Sequence, residues 1–537
     1  MISLISPNFR PRSALRLRRA VLGCIAMTAL AAHAQPSAQP AFAVYEYVVD
    51  GNSLLSDAAI EASVTPFLGE RKNLQDVEGA RAALEKAYHD AGYLTVLVAI
   101  PEQSVDGGTV ALHVVEAGVE KLSVKGAQYS LPSAIKAQVP ELAEGTVPNF
   151  NKVQEQLAAV NRNANLRVTP ILRAGAVPGT VEVQLDADDQ LPLHGSVEVS
   201  NRQTPNTTAE RVTASLRYEN LWQRGHSFSL TAQVAPQRPA DARVLAGNYA
   251  LPVGAAGGSV MLSAIHSRSD LASLANAPGL GLLGNSDIVG LRYSLPLPGS
   301  GTFGHFLSAG LDHKRIGQSL LVQEGGNTRT DINYAPAALG YTMRSTLPAS
   351  TTTLDLGLSA GLRGLFGNRD AAFNAKRLGA SASFLTLRSN LAHTAHLGDW
   401  SLIGRLDSQA ASGPLVSSEQ FTAGGAESVR GYLEGERAGD AGVRASVEVQ
   451  TPAYRPFGGT SEWAFAGLVF YDAARVSTLQ TIPPQHPRDL LRGAGFGLRL
   501  GAPFGLSLEV DAAHAFVDGD TTRAGDNRVH ARARWGY

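Results

Sequence analysis

Cysteine is almost missing from this chain, which has one, Cys24, in 537 residues. Cys24 lies in an amino-terminal stretch with three recognisable parts. Arg10, Arg12, Arg16, Arg18 and Arg19 make a basic region without acids, Ala20 to Ala32 is a short apolar run, and Ala32-His33-Ala34 is a small-x-small cleavage site. Together they predict a secretory leader over residues 1–34, cut after Ala34. The apolar run continues past Cys24, so it is not expected to carry lipid. The mature chain then has no cysteine, which excludes disulfides, thiol catalysis and cysteine-based metal sites. Losing the five leader arginines leaves 41 of the 46 basic residues against 47 acids, a net charge of −6. That balance argues against a nucleic-acid partner. Charge of either sign is sparse, at 17% of residues, where a soluble domain has about 25%. No run of about 18 apolar residues is present to cross a membrane as a helix. Glycine is plentiful, at 55 residues. This balance fits a membrane β-barrel, and equally a large extracellular β protein.

A short linker, residues 35–41, leads into two small α/β modules, 42–118 and 119–190. In the first, Phe42 to Val49 reads as a strand. A helix capped by Ser56 follows, and a second helix spans Leu74 to Asp90. Leu74, Val77, Ala80, Leu84, Ala87 and Tyr88 share one face of it. Gly92 is placed to end this helix, and strands follow at Tyr93 to Ile100 and Thr109 to Val115. The order repeats: strand 121–125, weak helix 131–139, helix 151–163, strands 166–173 and 180–187. Each module reads as a small sheet with two helices on one side, leaving sheet edges open to strand addition. Glu78 and Glu85 fall on the wet side of their helix, and His89 and His113 have no evident partners.

From residue 191 to 537 no helical period returns. Sixteen alternating segments begin near 195, 210, 226, 243, 258, 286, 302, 329, 351, 378, 396, 441, 462, 491, 504 and 529. Long links (269–285, 314–328, 364–377, 410–440, 473–490, 515–528) alternate with short ones (253–257, 297–301, 390–395, 502–503). That sorting predicts a closed, even-stranded, 16-stranded antiparallel transmembrane β-barrel with tight turns on the periplasmic side. In the last segment Val529, Ala531, Ala533, Trp535 and Tyr537 face one way, and His530, Arg532, Arg534 and Gly536 the other. The first face suits lipid and the second a wet lumen, so Trp535 and the terminal Tyr537 read as a carboxyl-terminal barrel signature. Glu198, Arg217, Glu448, Glu509 and Asp511 are expected in the lumen. Tyr218, Trp222, Tyr293 and Trp463 are candidates for interfacial girdles, or are simply strand aromatics.

Link 410–440 is too long for a hairpin turn. It carries Val429-Arg430-Gly431-Tyr432 within a glycine-rich stretch, and the strand Phe470-Tyr471-Asp472-Ala473-Ala474 follows. With these motifs, and with "GNSLLSD" and "PGTVEVQLDADD" in the modules, the chain resembles the two-partner (type Vb) secretion transporters. These are the TpsB, or ShlB/FhaC/HecB hemolysin secretion/activation, family of the Omp85 superfamily. The resemblance covers nearly the whole mature chain. One departure is Ala474, where the family usually has glycine.

The resemblance implies a location and a mechanism. The barrel sits in the Gram-negative outer membrane among its lipids, inserted by barrel-assembly machinery, with residues 35–190 in the periplasm as POTRA domains. Loop 410–440 folds into the lumen, where Val429, Arg430, Gly431 and Tyr432 meet Phe470 and Asp472 as a lock. The modules recognise an unfolded, β-helical, TpsA-like exoprotein (an adhesin, hemolysin or contact-dependent toxin), which leaves through the pore. The protein is expected to act as a monomer, with no metal, cofactor or catalysis. No "HExxH" pair occurs, and the one G-x-S-x-G pattern, Gly357 to Gly361, falls inside an alternating strand segment and not at a strand-to-helix elbow. So few residues separate the leader from the first strand that no plugging helix is expected. An Omp85-type assembly factor and a passive porin remain the alternatives.

Overall fold

The computed structural model describes residues 41–537 except 106, 162, 255–256, 269–271, 274–281, 284, 323–325 and 482–485. The leader with Cys24, and most of the linker, lie outside the described residues. The chain packs as two compact units. One holds the first module up to Glu120 with 145–151 and 174–181; the other holds 121–144, 152–173 and everything from Glu182 onward.

The first module's main helix spans Leu74–Asp90. Asn73 starts it with a reciprocal cap: its side chain accepts from Gln75 N (2.7 Å) and Asp76 N (3.2 Å), and Asp76 accepts from Asn73 N (2.9 Å). Three main-chain amides at the helix start are engaged this way. Val77, Ala80, Leu84 and Tyr88 are buried, at helical spacing. Leu74, expected on that face, is instead 60% exposed, at the first position of the helix. Gly92 (φ 100°) ends the helix, and a Cβ there would press on the Asn149 and Asn151 carboxamides at 2.7 and 2.8 Å. The helix lies with Asp57–Val64 over a three-stranded sheet ordered Glu46–Asp50, Thr109–Glu116, Val96–Ala99. Glu85 is not simply solvated: it accepts from Val98 N (3.1 Å) and pairs with Arg81 (2.8 Å). His113 pairs with Asp50 at 3.0 Å. Burial and the Glu116 carboxylate raise the Tyr88 hydroxyl well above its ordinary value, so it stays protonated as a structural donor to Asn52.

The second module repeats the plan. Its sheet runs Gly118–Lys125, Thr180–Asp189, Leu166–Ala174, and its helices are Pro132–Ala137 and Phe150–Val160. Val153, Leu157 and Val160 are buried.

From Leu193–Ser200 to Asn527–Gly536 the strands form one closed barrel, and the last strand pairs antiparallel with the first. Seventeen strand segments line the ring. Two of them, Gly326–Tyr334 and Pro336–Leu347, both pair with Phe303–Val322 and are one strand broken at Ala335, which gives sixteen strands. Proline at 336 cannot donate to the ladder, and the break sits beside it. Alternation is plain in the twelfth strand, Ala441–Gln450. Val443, Val447 and Val449 are exposed outward, while Ser446 and Glu448 are buried inside.

Several expected connections differ. The expected short link 390–395 lies inside the tenth strand, Leu385–Leu397, and the tight turn falls at 398–399, because polar residues such as His393 and Thr394 continue the ladder. Residues 314–328 were expected as a long link, but the seventh strand continues to Val322 and the eighth starts at Gly326. Charged residues such as Lys314 and Arg315 masked a strand that extends past its apolar section. The tenth strand begins at Leu385, not near 378. The preceding segment holds a helix, Asp370–Lys376, and packs Phe373, Ala380, Ala382 and Phe384 against Tyr334, Leu415 and Val416.

Replacing Asn73 by alanine removes the cap and should weaken the helix Leu74–Asp90 by about 1 kcal/mol. Hydrogen exchange on the full chain checks this: amides of the first helical turn should exchange several-fold faster, with barrel amides unchanged.

Candidate functional site

The connection from strand eleven (Trp400–Ala411) to strand twelve folds into the barrel. Its two limbs pair briefly, Phe421–Ala423 against Arg437–Gly439, and so present residues 424–436 as a tip. Gly424 (φ 106°) and Gly425 (φ 111°) turn the chain there, and a Cβ on either would strike the returning limb at Leu433, Glu436 or Glu434. Residues of strands twelve to sixteen receive the tip.

Arg430 is 3% exposed and Asp472 is fully buried. The pair is bidentate: Arg430 Nε donates to Asp472 Oδ2 (2.7 Å) and Nη2 to Oδ1 (2.8 Å). The Arg430 main-chain N–H also donates to Asp472 Oδ2, at 3.1 Å. Fork-to-carboxylate geometry fixes direction as well as distance. Around it stand Ser446 Oγ (3.3 Å), Glu448 (3.3 Å) and Asp511 (3.5 Å). The guanidinium carbon lies 3.4 Å from the centre of the Phe470 ring, a cation–π contact. Gly431 N donates to His530 Nε2 at 3.2 Å, which requires that nitrogen to be unprotonated. Tyr432 is fully buried, and its hydroxyl donates to Val517 O (2.7 Å), with Arg492 O a second acceptor within reach at 3.0 Å. Val429 and Tyr432 pack with Phe421, Ala423, Ala474, Val476, Leu491 and Ala515. The structure brings together all six residues named from the sequence for the loop and its wall, Val429, Arg430, Gly431, Tyr432, Phe470 and Asp472. Trp535 and Tyr537 lie apart from it, at 48% and 69% exposure near the end of the last strand.

Ionic contacts extend the site. Arg499 grips Asp511 (2.6 Å), and Arg532 grips Glu509 (2.8 Å) and Glu427 of the tip (3.1 Å). Arg202 pairs with Glu434 at 3.0 Å. A cavity of about 240 Å³ lies beside Arg430 among these side chains. The loop is also held at its root. Glu419 is 1% exposed and bonds Lys314 Nζ (2.7 Å) and the Tyr334 hydroxyl (2.7 Å). Asp440 is fully buried against a bidentate Arg377 at 2.6 and 2.7 Å. Sequence reasoning missed these root contacts, and it missed Gly493. A Cβ at Gly493 would collide with the Arg430 carbonyl oxygen. The signal available was a glycine on the strand next to the motif strand, where it stands directly opposite Asp472. Among the described residues no group of three or more His, Cys, Asp or Glu is placed to hold a metal ion.

Comparison with known proteins agrees with this architecture. Residues 179–500 match the haemolysin secretion/activation protein ShlB/FhaC/HecB family. The chain belongs to that family. Residues 42–117 match the ShlB-type POTRA domain. This member is 23% identical over 427 residues to the outer membrane transporter CdiB of Dickeya dadantii (strain 3937), over 78% of this chain and 73% of that one. The structure of CdiB from Escherichia coli matches with a TM-score of 0.62 at 19% identity, over 94% of this chain and 92% of that one. BamA from Haemophilus ducreyi, lacking POTRA domains 1-3, matches with a TM-score of 0.54 at 15% identity, over 93% and 100%. At these identities the two structures speak for the fold alone. The family and the barrel make this a non-catalytic outer-membrane translocase with periplasmic POTRA-like domains, consistent with two-partner secretion.

Asp472→Ala would leave the Arg430 guanidinium buried without its fork partner, a loss of about 3–5 kcal/mol for a broken buried pair. Glu448 and Asp511 remain near, so the lower end is expected. The tip should leave its seat, and single-channel conductance of the purified protein in planar bilayers should rise. Conductance equal to wild type would contradict the assignment.

Proposed function

We propose that this translocase exports a TpsA-like exoprotein, unfolded, through a lumen that the Arg430 loop occludes at rest. The client is an elongated β-helical adhesin, hemolysin or contact-dependent toxin. The observation that carries the reading is the buried Arg430–Asp472 pair, which seats a loop tip inside a closed barrel. A barrel of sixteen strands is wide enough for a channel, and a mobile obstruction gives the wide pore a closed state.

The POTRA domains supply recognition. In the first, the sheet edges Glu46–Asp50 and Val96–Ala99 have no further strand beside them in that sheet. Val48 and Leu97 are exposed there, at 45% and 59%. An extended client segment adds main-chain bonds at such an edge and places alternate side chains on the exposed apolar positions. Domains 42–118 and 119–190 therefore capture the client, and the lumen passes it.

A second reading, an assembly factor for other outer-membrane barrels, draws on the barrel seam. Strands sixteen and one share a register of five residue pairs, Arg532↔Ser200 to Gly536↔Ser196, where strands six and seven share fourteen.

One secretion experiment separates the two. Wild type, Arg430→Ala and a deletion of residues 42–187 are compared at matched amounts of folded barrel. Client should reach the medium with wild type, remain in the periplasm with the deletion, and be exported less with Arg430→Ala. Unchanged client export in all three, with failed assembly of other barrels on depletion, would establish the assembly reading.

A further inference from the structure

The barrel's first short turn is strained. It joins strands Arg211–Leu221 and His226–Val234, and within it Asn220, Trp222 and Gln223 have φ of 62°, 61° and 57°. Gly225 (φ 69°) takes such a backbone freely. Asparagine tolerates it, but tryptophan and glutamine adopt it rarely. Strain of this kind persists only where surrounding contacts over-determine it.

The contact in question belongs to Gln223. Its side chain reaches the second module, where Nε2 donates to Tyr129 O (2.9 Å) and Oε1 accepts from Leu131 N (3.0 Å). One carboxamide thus makes both main-chain bonds that a paired strand residue would exchange. The receiving segment is itself held rigid. Asp189 accepts from the N–H groups of Gln128 (2.9 Å), Tyr129 (2.7 Å) and Ser130 (2.6 Å). A second polar contact lies alongside. Asn165 of the module donates to Glu219 (2.5 Å) at the end of the same hairpin and bonds His194 (2.9 Å) in the first strand.

We propose that Gln223 is a positioning residue for export. It docks the second module on the first hairpin of the barrel, and the left-handed backbone of the turn is what aims its carboxamide. The docked module delivers client at a fixed place on the rim. This rests on the export reading above.

Two substitutions separate docking from a purely local role in the turn. Gln223→Gly relieves the backbone strain and removes the carboxamide; Gln223→Ala removes the carboxamide and keeps the strain. Two measurements are made on the full chain: exchange of the Leu131 amide in purified protein, and client export at matched amounts of folded barrel. Loss of two neutral hydrogen bonds should speed Leu131 exchange about tenfold or more in both variants. Export should fall in both, with the glycine variant no better than the alanine one. Wild-type export by Gln223→Gly, or Leu131 protection unchanged in both variants, would overturn the proposal. If wild type itself exports no client, the export reading fails, and Leu131 exchange still decides whether Gln223 docks the module.

Discussion

A guanidinium inside a narrow protein channel cannot stay unpaired, and most of this barrel's interior can be understood from how Arg430 is paired. Removing that charge from water is costly unless a carboxylate and further acceptors meet it in good geometry. Asp472 does so through a fork, Phe470 supplies a face, and Glu448 and Asp511 stand behind. The requirement propagates. Arg405 satisfies Glu448 and Arg499 satisfies Asp511. Glycine is needed at 493 so that the Arg430 main chain can approach the wall. The lumen is therefore a network built to receive one loop, in contrast to a wet wall of independent charges.

The loop is held differently at its two ends. At the root, Glu419 and Asp440 are fully enclosed by Lys314, Tyr334 and Arg377. At the tip, Glu427 is half exposed and lies beside the cavity. A fixed root with a tip bordered by open space is the arrangement a hinged obstruction needs. The glycines at 424 and 425 lie where the two-stranded arm ends and the tip begins.

Much of this was legible because lipid and lumen impose a period of two. Val443, Val447 and Val449 against Arg444, Ser446 and Glu448 define a barrel strand without any structure. The helix Leu74–Asp90 was equally plain from its apolar spacing. Legibility failed where that constraint lapses. The seventh and eighth strands extend through polar sequence that carries no lipid-facing signal. Residues 378–384 alternate small and apolar residues like a strand, yet they serve as packing around Phe373. Within the site, Arg430 and Asp472 could be matched through a family resemblance. Glu419 and Lys314 could not, because 105 residues separate them and neither stands in a motif.

If the seated loop occludes the lumen, its tip must leave that seat for client to pass. Tethering it tests this directly. Val429 and Ala474 share one buried cluster, so Val429→Cys with Ala474→Cys, bridged by a short reducible thiol cross-linker, can join tip to wall, and residues 41–537 hold no other cysteine. Export is followed in cross-linked cells and again after a reductant is added. The cross-linked protein should retain its client, and reduction should restore export. Export at the wild-type rate by the cross-linked protein would contradict it.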